Sequence, residues 1–319
     1  MGGAFRSELS EDRTSGMQHV REGYFPVRGG QLYFREIGSG PPIVLVHGGP
    51  DFNHNYLLPE LDALSSAFRL IYYDQRGRGQ SWSGFAAEDV DIVSEVDDLA
   101  RLRQCFGLGT IAVLGHSWGS LLAMEYAARH PEHVSHLILL NTAPASHADL
   151  LLFQRQRQAA ETHALEEMRT IAGTPDYAAG DIDTDAQYYR AHFRKTLRRP
   201  DQLEQLVRRR RLHFTPESIV QARAIENRLY AQTWSSEGYD LPARLRSLKV
   251  PTLVVHGDLD FIPLECADHV ARAISGSRLV VLDGCGHFAH VERPAEVHGA
   301  ITKFLAGGEP PPRSAAAAR

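Results

Sequence analysis

Four short apolar runs succeed one another along the first half of the chain: IVLVH at 43–47, LIYYD at 70–74, IAVLG at 111–115 and LILLN at 137–141. Each run is apolar at consecutive positions, so both faces of the strand it predicts are buried, which implies a parallel sheet covered by helices. Helical spacing of apolar residues fills the gaps, notably over Val93–Cys105 and over Trp118–Arg129, the second ending before Pro131. Strand and helix alternate in the order of a doubly wound α/β fold. Ahead of these runs, Tyr24–Arg28 and Gln31–Ile37 flank Gly29-Gly30 and read as a hairpin.

From about 144 to 244 the strand pattern stops and the segment becomes rich in Arg, Gln and Glu, with Leu, Phe and Tyr at helical spacing. Strands resume at TLVVHG (252–257) and RLVVLDG (278–284), with helices expected at about 264–274 and 294–306. A sheet that continues after such an interruption is most economically one core, 19–143 plus 245–306, carrying a helical cap inserted at 144–244. Both ends, 1–18 and 307–319, hold too little apolar surface to offset the entropy of ordering and are expected to be disordered.

Composition narrows the partners. With 34 basic and 39 acidic residues the formal charge is −5, which gives no reason to expect nucleic acid. The basic run from Arg190 to Arg211 alternates with Leu and Phe and reads as a solvated helix face. Three cysteines without close pairing fit neither a metal site nor a disulfide framework, so a reducing compartment is expected. MGGAFRSELSEDRTSGMQ contains no apolar stretch long enough for a signal peptide or a membrane span. The expectation is a cytoplasmic protein, a monomer or small homo-oligomer, acting on a small-molecule or short-peptide substrate.

The chemistry starts at IAVLGHSWGS, where G-x-S-x-G follows a buried strand and precedes a helix. That context demands a strained turn at Ser117, and Gly115 and Gly119 remove the Cβ atoms that would crowd it. A serine hydroxyl is a poor nucleophile near neutral pH and needs a base of matching pKa. Of sixteen histidines, His287 stands out because DGCGHF places it in a Gly-rich loop at the carboxyl end of a strand, where ligands of open α/β sheets bind. His47, His116 and His290 compete; His47 is expected to shape the loop after its strand, and His116 to point away from the reacting carbonyl. The acid that orients the base comes from VVHGDLDFIP. Asp260 is the first choice, with Asp258 expected to cap the turn through its own backbone. For the oxyanion, the amide of Trp118 and that of Gly49, in VLVHGGP, are the expected donors. No metal or organic cofactor is called for.

With these residues in place, the chain from about 24 to 306 resembles the prolyl aminopeptidase (proline iminopeptidase) branch of the α/β-hydrolases. HGGP at 47–50, DQRGRGQS at 74–81, GHSWGS at 115–120 and GCGH at 284–287 match the motifs of that branch. Within the second motif, Asp74 and Arg76 are expected to pair and hold the loop below the nucleophile. The resemblance implies an α/β-hydrolase fold with a helical cap, and cleavage of an N-terminal residue whose free amine is recognised by cap carboxylates. Glu226, in RAIENRLY, falls on the matching I-E-N element and is the implied amine-binding residue. Two departures bear on the substrate. Asp51 replaces a loop glycine and is expected to narrow or charge the site mouth, and a Trp-Glu element of the family's cap has no counterpart where Tyr188, Tyr189 and His192 stand.

The expected function is therefore a serine hydrolase, an aminopeptidase working through an acyl-enzyme, with Ser117, Asp260 and His287 catalytic and Glu226 and Tyr188 substrate-binding. The alternative is a carboxylesterase acting on small esters, and a third reading is a non-catalytic ligand-binding homologue. A haloalkane dehalogenase or epoxide hydrolase would place Asp where Ser117 stands.

Overall fold

In the computed structural model, which describes residues 19–308, eight strands form one sheet. They are β1 (Val20–Val27), β2 (Gly30–Ile37), β3 (Pro42–Val46), β4 (Arg69–Tyr73), β5 (Ile111–His116), β6 (Val134–Leu140), β7 (Thr252–Gly257) and β8 (Arg278–Leu282). Their spatial order is β1-β2-β4-β3-β5-β6-β7-β8. The expected hairpin is β1 and β2, turning at Gly29, whose φ of 87° suits a residue without a Cβ. β2 runs antiparallel to β4, and every later pairing is parallel. Of the disordered ends expected at 1–18 and 307–319, only Gly307 and Gly308 fall inside the described residues.

The pleat sends successive side chains of the central strands to opposite faces. Val44, Val46, Val113, Leu137, Leu139 and Val254 enter one core, with α1 (Ile92–Cys105) and α2 (Trp118–Arg129) packed on them. Leu45, Leu114, Ile138, Leu140, Leu253 and Val255 enter the other. Two cores explain why the strands are apolar at every position. Truncating a buried leucine such as Leu114 to Ala should remove about 2–5 kcal/mol. Helix α1 starts where the sequence stops competing with it: Asp91 and Ser94 form a reciprocal capping box.

Between β6 and β7 the chain is helical: α3 (His147–Ala172), α4 (Pro175–Ala178), α5 (Ile182–Thr196), α6 (Leu203–Arg210), α7 (Pro216–Gln232) and α8 (Leu241–Leu245). Ser146 and Asp240 pair as a short antiparallel bridge where this segment leaves the sheet and returns to it. Helix α9 (Leu264–Ala273) packs on the first core, and α10 (Ala289–Glu292) and α11 (Pro294–Leu305) follow β8 and line the second. No helix among the described residues is long and apolar enough to cross a membrane.

One expectation about this segment needs correcting. The basic run from 190 to 211 is not uniformly a solvated face, because Arg210 is 2% exposed. Its guanidinium bridges Asp51 and Asp185, and Arg223 takes the other oxygen of Asp185 at 2.6 Å. An arginine can be buried only with its charge matched, and a carboxylate from the core loop and one from α5 supply the match.

Candidate active site

Ser117 sits in the single-residue turn between β5 and α2, with φ 53° and ψ −121°. That is left-handed backbone for a residue with a Cβ, a strained state that persists only where its surroundings dictate it. Both flanking glycines are sterically required. A Cβ on Gly115 would lie 2.2 Å from the carbonyl oxygen of Gly119, and one on Gly119 would lie 2.1 Å from that of Val46. The turn thus packs its strand, its helix and β3 at backbone contact and lifts the hydroxyl above the sheet.

The loops after β7 and β8 bring the expected partners to it. His287 Nε2 lies 2.9 Å from Ser117 Oγ, and its Nδ1 lies 2.9 and 3.0 Å from the two oxygens of Asp260. These distances let the imidazole donate its Nδ1–H to the carboxylate and, with Nε2 unprotonated, accept the serine O–H there. Burial alone would raise the Asp260 pKa. The facing His287 and His256 outweigh it and hold the carboxyl below its ordinary value, so it stays ionised.

Other residues fix this geometry. Asn141, at the carboxyl end of β6, donates to Asp260 Oδ2 at 2.8 Å and to the Gly286 carbonyl at 3.0 Å. Glu292 accepts from the amides of Gly286 and Phe288 on either side of His287, at 2.8 and 3.1 Å. His116 is fully internal: its Nδ1 faces the Tyr56 hydroxyl at 2.7 Å and its Nε2 the His287 carbonyl at 2.9 Å. His47 holds the 74–76 loop through the amide of Gln75, at 3.1 Å, and His290 faces the Tyr56 carbonyl at 3.2 Å. The three histidines stand out in the sequence as competitors of His287; of Asn141 and Glu292, only the asparagine leaves a trace there, as the polar residue that ends LILLN.

Gly49 and Trp118, whose amides are the expected oxyanion donors, border the same cavity as Ser117. Gly48 is pressed against the turn, since a Cβ there would come within 2.9 Å of Ser117 Cβ. Its own N–H donates to the Tyr56 hydroxyl at 2.7 Å. The next amide, that of Gly49, donates to no protein atom among the described residues, and Gly49 adopts a φ of 45°. Trp118 is the first residue of α2, where an amide has no helical carbonyl to bind.

Three expected contacts differ. Asp74 and Arg76 do not pair: Asp74 accepts from His54 Nδ1 at 2.7 Å and from the amides of His54 and Gln80, whereas Arg76 forks onto Asp98 at 2.6 and 2.7 Å. Past the end of β4, Asp74 reaches the short 3-10 turn at His54–Leu57 and Arg76 reaches α1. Burial works against the Asp74 charge, but the adjacent His54 and His47 prevail and bring its pKa down to about 2. Asp258 does not cap its own turn; its Oδ1 accepts the Cys285 N–H at 3.1 Å, because the loop before His287 lies against it. Asp51 borders the cavity over Ser117 but brings no free charge to it, being 2% exposed and bound by Tyr189 O–H and Arg210.

The family described as alpha/beta hydrolase fold matches residues 41–294. A proline iminopeptidase from Lactobacillus helveticus is 30% identical over 314 residues, covering 90% of this chain and 98% of its own. This chain belongs to the α/β-hydrolase family, in its proline iminopeptidase-like branch. It is a hydrolase. The solved structure of a proline iminopeptidase from Mycobacterium smegmatis superposes with a TM-score of 0.66 at 22% identity, over 90% of this chain and 98% of that one. An esterase from Rhodococcus sp. ECU1013 gives 0.68 at 22% identity, over 91% and 99%. At such identity both share the fold alone.

In this α/β-hydrolase a cavity of about 1030 Å³ opens above Ser117 and His287. Sheet loops form its floor, and α3, α5 and α7 its walls and roof. Glu226 and Tyr188, both expected to bind substrate, line it. The Tyr230 hydroxyl donates to Glu226 Oε1 at 2.7 Å. Burial, and then the nearby Asp51 charge, push the Glu226 carboxyl up to about 8, with the Tyr230 bond, Arg210 and Arg223 opposing. Among the described residues, the one group of three side chains spaced to share a metal ion is His130, Glu132 and His133, none of which lines the cavity.

Proposed function

We propose that this α/β-hydrolase is a serine aminopeptidase of the prolyl aminopeptidase type, releasing an N-terminal residue from short peptides through an acyl-enzyme on Ser117. His287 takes the hydroxyl proton as Oγ attacks the scissile carbonyl, and the amides of Gly49 and Trp118 receive the oxyanion. The same imidazolium hands its proton to the departing amine, then activates water against the ester formed on Ser117. Asp260 fixes the tautomer and stabilises the imidazolium without being protonated itself. The helical segment 144–244 serves as the cap that selects the substrate, with Glu226 receiving the substrate's free amine beside Tyr188.

One observation carries this reading: the hydrogen-bonded row Ser117–His287–Asp260 opens on a cavity whose wall holds the carboxyl of Glu226. The test compares proline p-nitroanilide with p-nitrophenyl acetate. Turnover of the anilide, lost in Ser117→Ala while the melting temperature stays nearly constant, supports it. A carboxylesterase is the second reading, favoured by the likeness to an esterase fold and by the aromatic walls of the cavity. Ester cleavage without anilide cleavage would select it.

A further inference from the structure

The acidic and the basic side chains that line the cavity come from different elements. Its carboxylates, Asp51 and Glu226, come from the loop after β3 and from α7; its arginines, Arg155, Arg157 and Arg169, all come from α3. Tyr188 lines the same cavity and is near enough to Glu226 and to Arg157 to feel both. A pocket whose acidic and basic groups come from different elements suits a substrate with a cation at one end and an anion at the other.

Arg157 is the arginine built into this wall. Its Nε donates to Glu161 at 3.1 Å and its Nη2 to His192 Nδ1 at 2.8 Å. Glu161 can face inward because α3 breaks there, with φ −127° and ψ 24°. The guanidinium carbon lies 5.0 Å from the centre of the Phe261 ring, and that ring meets His287 edge-on at 4.6 Å. One phenyl ring therefore separates the cation from the imidazole. Arg157 Nη1 has no hydrogen-bond partner among the described residues. A single guanidinium can hold two carboxylates at once, as Arg210 does here with Asp51 and Asp185.

The proposed mechanism says what lies beside that ring. The departing nitrogen must take its proton from His287 Nε2, so the residue that carries this nitrogen sits against His287 and Phe261. In a dipeptide the α-carboxylate is only two carbon atoms beyond that nitrogen. We infer that Arg157 receives the α-carboxylate of the carboxyl-terminal residue that departs as the amine, so that the cavity binds both charged ends of a dipeptide. This inference rests on the aminopeptidase reading and adds the substrate class: short peptides, dipeptides foremost, with a free carboxyl terminus.

The test compares kcat/KM for prolyl-phenylalanine and for its carboxyl-terminal amide, first on the unaltered protein. The expected preference for the free acid is about tenfold, the size of one charge-assisted contact in a partly hydrated site. Arg157→Met should bring the acid-to-amide ratio close to one, and Arg157→Lys should keep part of it. Equal cleavage of acid and amide by the unaltered protein overturns the subsite and leaves the aminopeptidase reading standing, as does a preference that survives in Arg157→Met. Cleavage of neither peptide, with esters still hydrolysed, overturns both.

Discussion

The imidazole of His116 binds the backbone of His287, its Nε2 lying 2.9 Å from the His287 carbonyl oxygen. Only one proton arrangement satisfies all its contacts. Nε2–H donates to that carbonyl, Nδ1 accepts the Tyr56 O–H, and the Tyr56 oxygen accepts the Gly48 N–H. Burial holds the His116 pKa well below the ordinary histidine value, so the ring stays neutral and this direction is kept. A continuous row thus ties the loop carrying Gly48 and Gly49 to the loop carrying His287.

Tyr56→Phe cuts that row in the middle and leaves the Gly48 amide and His116 Nδ1 without partners. Tyr56 acts as a positioning residue, so kcat for proline p-nitroanilide should fall about tenfold to a hundredfold while KM stays within about twofold. Stability should drop by about 1–3 kcal/mol from the unsatisfied groups. A raised KM with unchanged kcat would contradict the positioning role.

Asp260→Asn removes the charge that faces His287 and offers an amide in place of an acceptor. The imidazole is then driven toward the tautomer with its proton on Nε2, which cannot accept from Ser117. A loss of about 1,000- to 10,000-fold in kcat is expected, by analogy with the serine-protease triad. Asp258→Asn should cost far less, because Asp258 serves the Cys285 amide and not the imidazole. Steady-state kinetics on the two variants separates them.

Binding of a free amine should depend on pH in a way set by Glu226. Asp51, Arg210, Arg223, Tyr188 and Tyr230 surround it, and among Asp51, Asp185, Arg210 and Arg223 the charges already cancel. The carboxyl therefore stays protonated up to about pH 8 in the empty cavity. A substrate α-amine has an ordinary pKa of about 8 as well. Below pH 8 the separated partners carry two protons and the ammonium–carboxylate complex one, so binding tightens as pH rises; above pH 8 the complex must gain a proton, and binding weakens. Calorimetry of prolinamide with Ser117→Ala should give an affinity maximum near pH 8, with proton release on the acid side. A flat profile would remove Glu226 from amine binding.

The same group makes a stability prediction. Its folded pKa lies above the ordinary 4.5, so between that value and about 8 the unfolded chain binds fewer protons than the folded one. Stability contributed by the protonated acid is full at pH 4 and is lost progressively as pH rises through this window. Glu226→Gln keeps an oxygen for the Tyr230 O–H and has no proton to lose. Its melting temperature should match that of the parent near pH 4 and exceed it at pH 8, by an amount worth about 1 kcal/mol once cavity water is allowed for. Differential scanning at the two pH values checks this.

How much of this was legible in the sequence follows from what is local. The strands and their order of burial could be read because each is a run of consecutive apolar residues, and Ser117, His287 and Asp260 because each ends or follows such a run. Glycines 115 and 119 announced the close backbone contacts that the structure contains. The fate of a charged side chain was not legible, because it depends on which distant partner reaches it first. Asp74 turned to His54 and Arg76 to Asp98, although only Gln75 separates them from each other. Arg210 looked like part of a solvated run until Asp51, some 160 positions earlier, proved to be its counter-ion. Tyr56 and His116 likewise meet only because the short turn at His54–Leu57 comes back to the end of β5.

The central claim is that Ser117 is the nucleophile and becomes covalently acylated. Its most direct measurement is treatment with a fluorophosphonate followed by mass spectrometry of the peptide containing residue 117, read alongside turnover of proline p-nitroanilide. The account predicts one adduct, on Ser117, formed in proportion to the activity lost and absent when His287 is replaced by Ala. Full turnover by protein labelled completely at Ser117, or loss of turnover with Ser117 unlabelled, would contradict it.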